Sequence, residues 1–338
     1  MPFRLSILDK CPRQPEETSQ QALQNTLALA RLAEQAGYYR YWVAEHHNTP
    51  ALASPSPEIV LAWLAAQTKT LRLGAGGVML QHYSPYKVAE NFHLLAAVAP
   101  GRIDLGVGKA PGGLPTSTRA LQGQAPGQHG SFAQQLADVN RYLTQADPGL
   151  QATPLPAISP LRFLLGASQQ SAELANAVGW NFVFAAHLNG DDQQLAKVTD
   201  FWQQQTQRPT LVAVQVVIAA NRAQADALAA SLETWQLVLE NGQRVNLASS
   251  QQAQTFAQQA ASGIVSLGRK YPTVIAGSGE EVFERLVQLH RRYQIDEFII
   301  DLPITDPAHR QQALTRLAAA RQAAHYVSDR FSISGATP

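Results

Sequence analysis

The sequence predicts a (β/α)8 barrel, the TIM-barrel fold, with two insertions. Eight short apolar runs of strand length alternate with segments that have helical periodicity. The first four β–α units recur about every 30 residues, the usual length of such a unit. A doubly wound open sheet is the alternative, but it usually has fewer strands and needs a reversal in strand order. We therefore expect one barrel domain spanning residues 1–338.

The predicted strands are apolar runs bounded by polar, glycine or proline residues. In chain order they are residues 3–9, 39–45, 71–80, 102–108, 161–167, 181–187, 210–219 and 296–303. Helix signals lie between them. The first helix stops at Gly37, a second starts with Ser56 as N-cap and Pro57 at its first position, and Ser278 with Glu281 forms a capping box. These local signals fix the alternation of strand and helix.

Two connections are too long to be simple loops and predict insertions after strands 4 and 7, at residues 109–160 and 220–296. The first begins with a segment rich in Gly, Pro and Ser, residues 109–130, and continues with a helix near Ser131. In the second we expect at least one extra helical segment, around residues 234–242 and 251–262. Because residues 109–130 follow strand 4, they border the barrel mouth. We interpret this segment as a mobile lid with little apolar surface to pack; a fixed wall is the alternative.

The composition limits the partners. Hydrophobic residues make up 45% of the chain and charged residues only 15%, which supports a large core. The formal net charge of +1 argues against nucleic acid or an anionic membrane as a partner. No apolar run is long enough to span a membrane, and the first residues do not resemble a signal peptide. Cys11 is the single cysteine, so the expected location is the cytoplasm.

Polar residues follow several of the predicted strands. In a barrel the carboxyl-terminal strand ends meet at one rim, which carries the active site. The residues that fall there are Glu45, His46, His47, Gly76, Gly77, Lys109, Ser168 and His187. The sequence therefore predicts an active site at this rim.

The paired histidines do not predict a metal site. Adjacent residues of a strand point to opposite faces, so His46 and His47 cannot easily share one ion. The chain also lacks a cysteine cluster, an HExxH motif and a His-x-His pair on strand 1. Acid–base work beside a cofactor and a capped pair of core histidines both remain open.

The stretch "GASQQSAEL", residues 166–174, favours an anion site. Ser168 caps the predicted helix and Ser171 lies in its first turn, so two hydroxyls and the positive helix end coincide. Plain helix capping is the alternative. The glycine-rich residues 106–112 do not match a P-loop or a dinucleotide motif, because Ala110 and Pro111 occupy required positions.

Four motifs identify a resemblance: "YYRYWVAEHHN", "LRLGAGGVMLQHYSPYKVAENFHLL", "PGRIDLGVGKAPG" and "FLLGASQQSAELA", in this order. Across nearly its whole length the chain resembles the bacterial luciferase-like flavin monooxygenase family, and most closely its subgroup of single-type luciferase-like oxidoreductases. The resemblance implies a TIM barrel that binds reduced flavin, or the deazaflavin F420, at the carboxyl-terminal rim.

The resemblance also implies roles for individual residues. Glu45 falls where the family has a carboxylate near the flavin, His46 where it has a catalytic histidine, and His47 beside them as a supporting partner. Gly76–Gly77 matches the site of a non-proline cis peptide beneath the flavin ring. The other implied cofactor contacts are Lys109, Ala167, Ser168, Ser171 and His187, with Lys109 at a phosphate position where the family usually has arginine.

The first functional hypothesis is a monooxygenase that oxidises a small organic substrate with O2 and reduced FMN, the latter supplied by a separate flavin reductase. An F420-dependent oxidoreductase on the same barrel is the second, although the "EHH" sequence argues against it. A flavin-binding protein without turnover is the third, and a metal-dependent hydrolase barrel is the weakest. We also expect a homo-oligomer.

Overall fold

The computed structural model describes residues 3–123, 130–145, 149–186, 192–240, 242, 244–260 and 262–333. Its strands are β1 Arg4–Asp9, β2 Arg40–Val43, β3 Arg72–Met79, β4 Ile103–Gly108, β5 Leu161–Gly166, β6 Asn181–Ala185, β7 Leu211–Ile218, β8 Thr234–Leu239, β9 Arg244–Leu247, β10 Ile264–Lys270, β11 Val274–Gly277 and β12 Glu297–Asp301.

Its helices are α1 Ser19–Gln35, α2 Pro57–Gln67, α3 Pro85–Val98, α4 Pro115–Gln122, α5 Phe132–Thr144, α6 Gln169–Ala177, α7 Asp192–Gln205, α8 Arg222–Ala230, α9 Ser250–Gln259, α10 Gly279–Tyr293 and α11 Pro307–Ile333. The predicted capping box of Ser278 and Glu281 is present at α10. Ser56 precedes α2 as predicted, but its side chain makes no capping hydrogen bond. Among the helices described, none combines the length and apolar character needed to cross a membrane.

Eight parallel strands close into the predicted barrel in the order β1-β2-β3-β4-β5-β6-β7-β12. The ring closes because β6 pairs with β7 and β12 pairs with both β7 and β1. All eight predicted strands are found. The TIM-barrel prediction is therefore confirmed, and every barrel strand directs its carboxyl end toward one rim, which we call the mouth.

The barrel is filled by side chains in layers. At the amino-terminal end, which we call the floor, Arg40 forms ion pairs with Asp104 and Glu297. Above the floor lies an apolar layer that separates it from the mouth. This layer consists of Leu8, Trp42, Ala44, Phe163, Val183, Leu211, Ala213 and Ile299. These side chains fill the barrel between the floor and the mouth. The ring of strands therefore encloses a packed core and not a pore.

The insertion after β7 is mainly a three-stranded antiparallel sheet in the order β10-β8-β9, covered by α9. α9 agrees with the predicted extra helix, but the prediction was wrong for residues 234–239, which form β8. The reason is visible in the burial pattern. Leu237 and Leu239 are buried while Val238 between them is partly exposed, which is the two-residue period of a strand.

The insertion after β4 is more ordered than an irregular loop. Residues 115–122 form α4, and Leu114 just before it packs on the apolar cluster of Leu237, Leu239 and Phe256 in the other insertion. We expected this segment to have little to pack against the barrel; Leu114 packs instead on the other insertion, a surface that comes from a distant part of the chain. Residues 124–129 of the predicted lid lie outside the described residues.

Candidate active site

His46 lies at the mouth, on the inner face of the barrel. Trp42 and Ala44 belong to the apolar layer, and His46 follows them at the same two-residue spacing. Its Nδ1 is buried and has no hydrogen-bond partner among the described residues. Burial lowers the pKa of His46 from 6.5 to about 4, and the positive charge of Lys10 acts in the same direction. The imidazole is therefore neutral at neutral pH.

Glu45 precedes His46 in the chain, so its side chain points to the outer face of the barrel, where it is buried. Its carboxylate accepts hydrogen bonds from the backbone N–H of Met79 at 3.1 Å and from the hydroxyl of Tyr83 at 2.8 Å. The other bond of Glu45 goes to His47, whose Nε2 lies 2.6 Å from Oε1. Burial and the charge of Glu45 together raise the pKa of Tyr83, so this phenol stays protonated and donates. Glu45 thus orients His47 and ties the ends of β2 and β3 together.

His47 also anchors the segment that follows β4. Its backbone N–H donates to the carbonyl oxygen of Gly112 at 2.8 Å, and its ring packs edge-on against His82, with 5.9 Å between ring centroids. Nε2 of His82 lies 2.8 Å from the carbonyl oxygen of Pro111, and Nδ1 lies 3.1 Å from the amide nitrogen of Gln122 in α4. The two adjacent histidines therefore serve different surfaces, His46 the mouth and His47 the wall beside it.

Gly76 and Gly77 supply a strip of backbone without side chains at the end of β3. The peptide bond between them is cis, as the family resemblance implies. A Cβ on Gly76 would lie 2.6 Å from Cδ1 of Leu8, and one on Gly77 would lie 2.9 Å from the carbonyl oxygen of Gly106. Only glycine fits at these positions, because the apolar layer and β4 approach so closely.

The two serines of the predicted anion site lie together at the start of α6. Ser168 is the N-cap and accepts from the backbone N–H of Ser171, and the two hydroxyl oxygens lie 3.0 Å apart. Gly166 allows this, since a Cβ there would overlap Cβ of Ser171. Ala167 lies between Gly166 and the cap and is partly exposed. Lys109 is exposed at the end of β4, the neighbour of β5.

His187, the remaining predicted cofactor contact, lies outside the described residues.

The structure also brings to the mouth three residues that the sequence prediction missed. Nζ of Lys10 lies 2.6 Å from Oδ2 of Asp301, and Nε2 of Gln215 donates to the same oxygen at 2.9 Å. A signal for each existed in the sequence. Lys10 and Asp301 stand at the ends of apolar runs, and Gln215 is the single polar residue within β7.

Two tests of cofactor chemistry follow from these residues. Within the described part of the chain, no group of three or more His, Cys, Asp and Glu side chains could hold a metal ion. A flavin fits better. The unpartnered Nδ1 of His46, the side-chain-free strip at Gly76–Gly77 and the paired hydroxyls of Ser168 and Ser171 offer a polar contact, a flat surface and an anion site on one rim.

Comparison with known proteins agrees with this geometry. Residues 3–294 match the family described as luciferase-like monooxygenase. The chain is 40% identical over 332 residues to N-acetyl-S-alkylcysteine monooxygenase from Bacillus subtilis (strain 168), which covers 95% of this chain and 99% of that protein.

Two solved structures extend the comparison. The crystal structure of apo-MsnO8 matches with a TM-score of 0.76 and 28% identity, covering 95% of this chain and 98% of its own. The oxygenating constituent of 3,6-diketocamphane monooxygenase from Pseudomonas putida, in complex with FMN, matches with a TM-score of 0.67 over 94% of this chain and 97% of that one. At 16% identity, the second likeness concerns the fold alone. The chain belongs to the luciferase-like monooxygenase family of oxidoreductases.

Proposed function

We propose that the protein is a flavin-dependent monooxygenase that oxidises a small organic substrate with O2 and reduced FMN. The observation that carries the proposal is the neutral imidazole of His46, whose buried Nδ1 lacks a partner among the described residues at the mouth of a barrel of this family. A buried polar atom without a partner is costly, and it is retained most readily where a ligand completes it.

The rim offers a place for each part of FMN. The hydroxyls of Ser168 and Ser171 and the start of α6 would hold the phosphate, with the exposed ammonium of Lys109 adding a positive charge from the neighbouring strand. The strip at Gly76–Gly77 would support the ring. By the family resemblance, Ala167 and His187 complete the cofactor contacts. Reduced flavin, when bound, supplies the electrons that activate O2.

His46 would hold or transfer a proton at Nδ1. A neutral imidazole can accept or donate there, whereas an imidazolium can only donate. Glu45 and His47 have a supporting role in this proposal. They are hydrogen-bonded to each other, and Glu45 also accepts from the backbone at the end of β3. In this proposal they keep His46 and the glycine strip in place.

The partners in the reaction are small molecules and one protein. We assign the reduction of FMN to a separate flavin reductase, because residues 106–112 do not match a dinucleotide-binding motif. The first substrate class to test is an N-acetyl-S-alkylcysteine, since the chain is 40% identical to a monooxygenase of that name along nearly its whole length. We place the reaction in the cytoplasm, where the lone thiol of Cys11 would stay reduced.

The proposal includes a homo-oligomer. α2 is apolar on nearly all sides, and its outward residue Ile59 is 69% exposed. On the neighbouring helix α3, Leu94 and Val98 are also exposed. Exposed apolar side chains on two helices in contact favour burial against another subunit, here a second copy of this chain.

Absorption spectroscopy tests the proposal. FMN, anaerobically reduced FMN and F420 are titrated separately, and the protein is then given a flavin reductase, NADH, isotopically labelled O2 and N-acetyl-S-benzylcysteine. We expect binding of FMN and incorporation of one labelled oxygen atom into product. Binding of F420 alone would identify an F420-dependent oxidoreductase. Flavin binding without oxygen transfer to a panel of sulfides and aldehydes would leave a flavin-binding protein.

A further inference from the structure

The mouth has two sides that differ in chemistry. The serine hydroxyls and Lys109 lie on the side of β4 and β5. Asp301 ends β12 and Lys10 directly follows β1, the two strands that lie across the ring from β4 and β5, and Gln215 lies in β7, which pairs with β12. We call these three residues the Lys10 cluster. If the phosphate binds at β4 and β5, the Lys10 cluster faces the space beyond the reactive part of the cofactor.

Asp301 organises the cluster and is 2% exposed at its side chain. Its Oδ2 accepts from both Lys10 and Gln215, at 2.6 and 2.9 Å. Because a carboxylate can only accept, the amide nitrogen of Gln215 must face it. The amide oxygen Oε1 therefore points away from Asp301, and it is buried without a partner among the described residues.

The cluster defines what would complement it. An ammonium has three N–H donors, and Lys10 directs one of them to Asp301, which leaves donors for an incoming oxygen. Gln215 Oε1 needs a donor. Nδ1 of His46 can act either way, and His46 follows β2, the strand that pairs with β1 just before Lys10. The matching ligand group carries an oxygen acceptor beside an N–H.

We propose that Lys10 and Gln215 determine substrate specificity by binding an acylated amine of the substrate, with a carbonyl or carboxylate oxygen at Lys10 and an N–H at Gln215. Asp301 is the positioning residue that holds both. This inference rests on the proposed function and adds the part of the substrate that the enzyme recognises. The pyrimidine edge of a flavin has the same donor–acceptor chemistry, so the test must separate the two sources.

Equilibrium binding to the protein loaded with oxidised FMN separates them without turnover. The probes are N-acetyl-S-benzylcysteine and benzyl methyl sulfide, which share the thioether while only the first has the acylated head. The variants are Gln215→Leu and Lys10→Gln. Lys87→Gln is the matched control, because it also removes a lysine–carboxylate pair, but on the exposed surface of α3. Calorimetry gives the affinity of each probe, and absorption gives that of FMN.

We expect both cluster variants to bind the acetylated probe about 10- to 100-fold more weakly, the usual effect of losing one hydrogen bond in a site with a charged partner. Affinities for benzyl methyl sulfide and for FMN should stay within about twofold. Lys87→Gln should match the wild type in all three. If Lys10→Gln melts early because Asp301 has lost its counter-charge, Gln215→Leu still carries the test, since Lys10 keeps Asp301 paired there.

Three results would overturn the inference. A parallel loss of FMN affinity would make the flavin edge the partner of the cluster. An equal loss for both sulfides would show an effect on the shape of the site. If the acetylated probe does not bind to the wild-type protein, acylated amines are excluded as the ligand of the Lys10 cluster. Absence of oxygen transfer would instead count against the proposed function alone, because none of these measurements involves turnover.

Discussion

The two ends of the barrel interior both carry charge, yet they differ in how completely their polar atoms are paired. At the floor, Arg40 donates to both carboxylate oxygens of Glu297 and to Asp104, at 2.6 to 3.0 Å. Arg72 and the indole of Trp42 also donate to Asp104. At the mouth, Nδ1 of His46 and Oε1 of Gln215 are buried without partners in the described part of the chain.

The difference separates structure from function. A buried charge is tolerated when partners replace its lost hydration, and the floor meets that condition, with two arginines matched by two carboxylates. Burial alone would lower the pKa of Arg40, but Asp104 and Glu297 outweigh burial and raise it. At the mouth, the buried atoms Nδ1 of His46 and Oε1 of Gln215 have no such partners among the described residues. We therefore expect floor substitutions to change stability, and mouth substitutions to change binding and turnover.

The largest expected effect is on turnover, at His46. His46→Ala should lower the rate of substrate oxidation about 10²- to 10⁴-fold, because a positioned proton-transferring group contributes that much. The melting temperature should change little, since Nδ1 has no described partner to lose, and flavin affinity should change little because the proposed phosphate contacts at Ser168 and Lys109 remain. Steady-state kinetics and a thermal melt measure both, with His309→Ala on α11 as control. A large drop in melting temperature at an unchanged rate would show that His46 stabilises the fold, as the floor residues do, and does not take part in the reaction.

Next in size is the floor itself. Arg40→Leu should reduce the free energy of unfolding by about 3–5 kcal/mol, because it leaves Asp104 and Glu297 buried without their shared counter-charge. Urea unfolding measures this. Arg222→Leu, which removes an exposed ion pair with Asp226, is the control and should leave the midpoint nearly unchanged. A loss below about 1 kcal/mol for Arg40→Leu would mean that the floor is not a structural layer.

A smaller effect is expected at the proposed phosphate site. Ser168→Ala and Lys109→Ala should each weaken FMN binding by about 1.5–3 kcal/mol, or roughly 10- to 150-fold, through loss of a hydrogen bond to a charged group. Ser168→Ala also removes a helix cap, so Ser131→Ala is its matched control. Ser131 caps α5 with the same type of bond, and its loss should leave FMN affinity unchanged. Unchanged affinity in both test variants would place the phosphate elsewhere.

Most of the fold was predictable because its signals are local. Buried strands show as apolar runs, and caps such as Ser278 with Glu281 mark helix starts within four residues. The error at β8 has a clear cause. That strand lies in a small, half-exposed sheet with only Leu237 and Leu239 buried, so its apolar period is short and competes with a helical interpretation.

The site was predictable only in part. The ends of the predicted strands showed which residues lie at the rim. Which of these residues contact one another depends on how the ring of strands closes. Lys10 and Asp301 are 291 positions apart and meet because β12 pairs with β1. The bond between Glu45 and His47 is a similar case, since it needs both side chains on the outer face while His46 lies on the inner one. No local pattern encodes these contacts.

The last and smallest effect concerns pH. His46 has a pKa of about 4 in the folded protein against 6.5 as its ordinary value. Between these values the unfolded chain binds more protons, so the stability due to a neutral His46 is complete above about pH 6.5 and is lost as the pH falls toward 4. The full shift would amount to about 3 kcal/mol, and we expect about 1–2 kcal/mol because the residue is partly exposed.

Urea unfolding of the wild type and His46→Gln at several pH values isolates this contribution, since His82 and His309, whose pKa values burial also lowers, are common to both. The difference in unfolding free energy should slope only between about pH 4 and 6.5. Parallel curves for the wild type and His46→Gln would mean that water or another group already solvates Nδ1, and the contrast between mouth and floor would lose its physical basis.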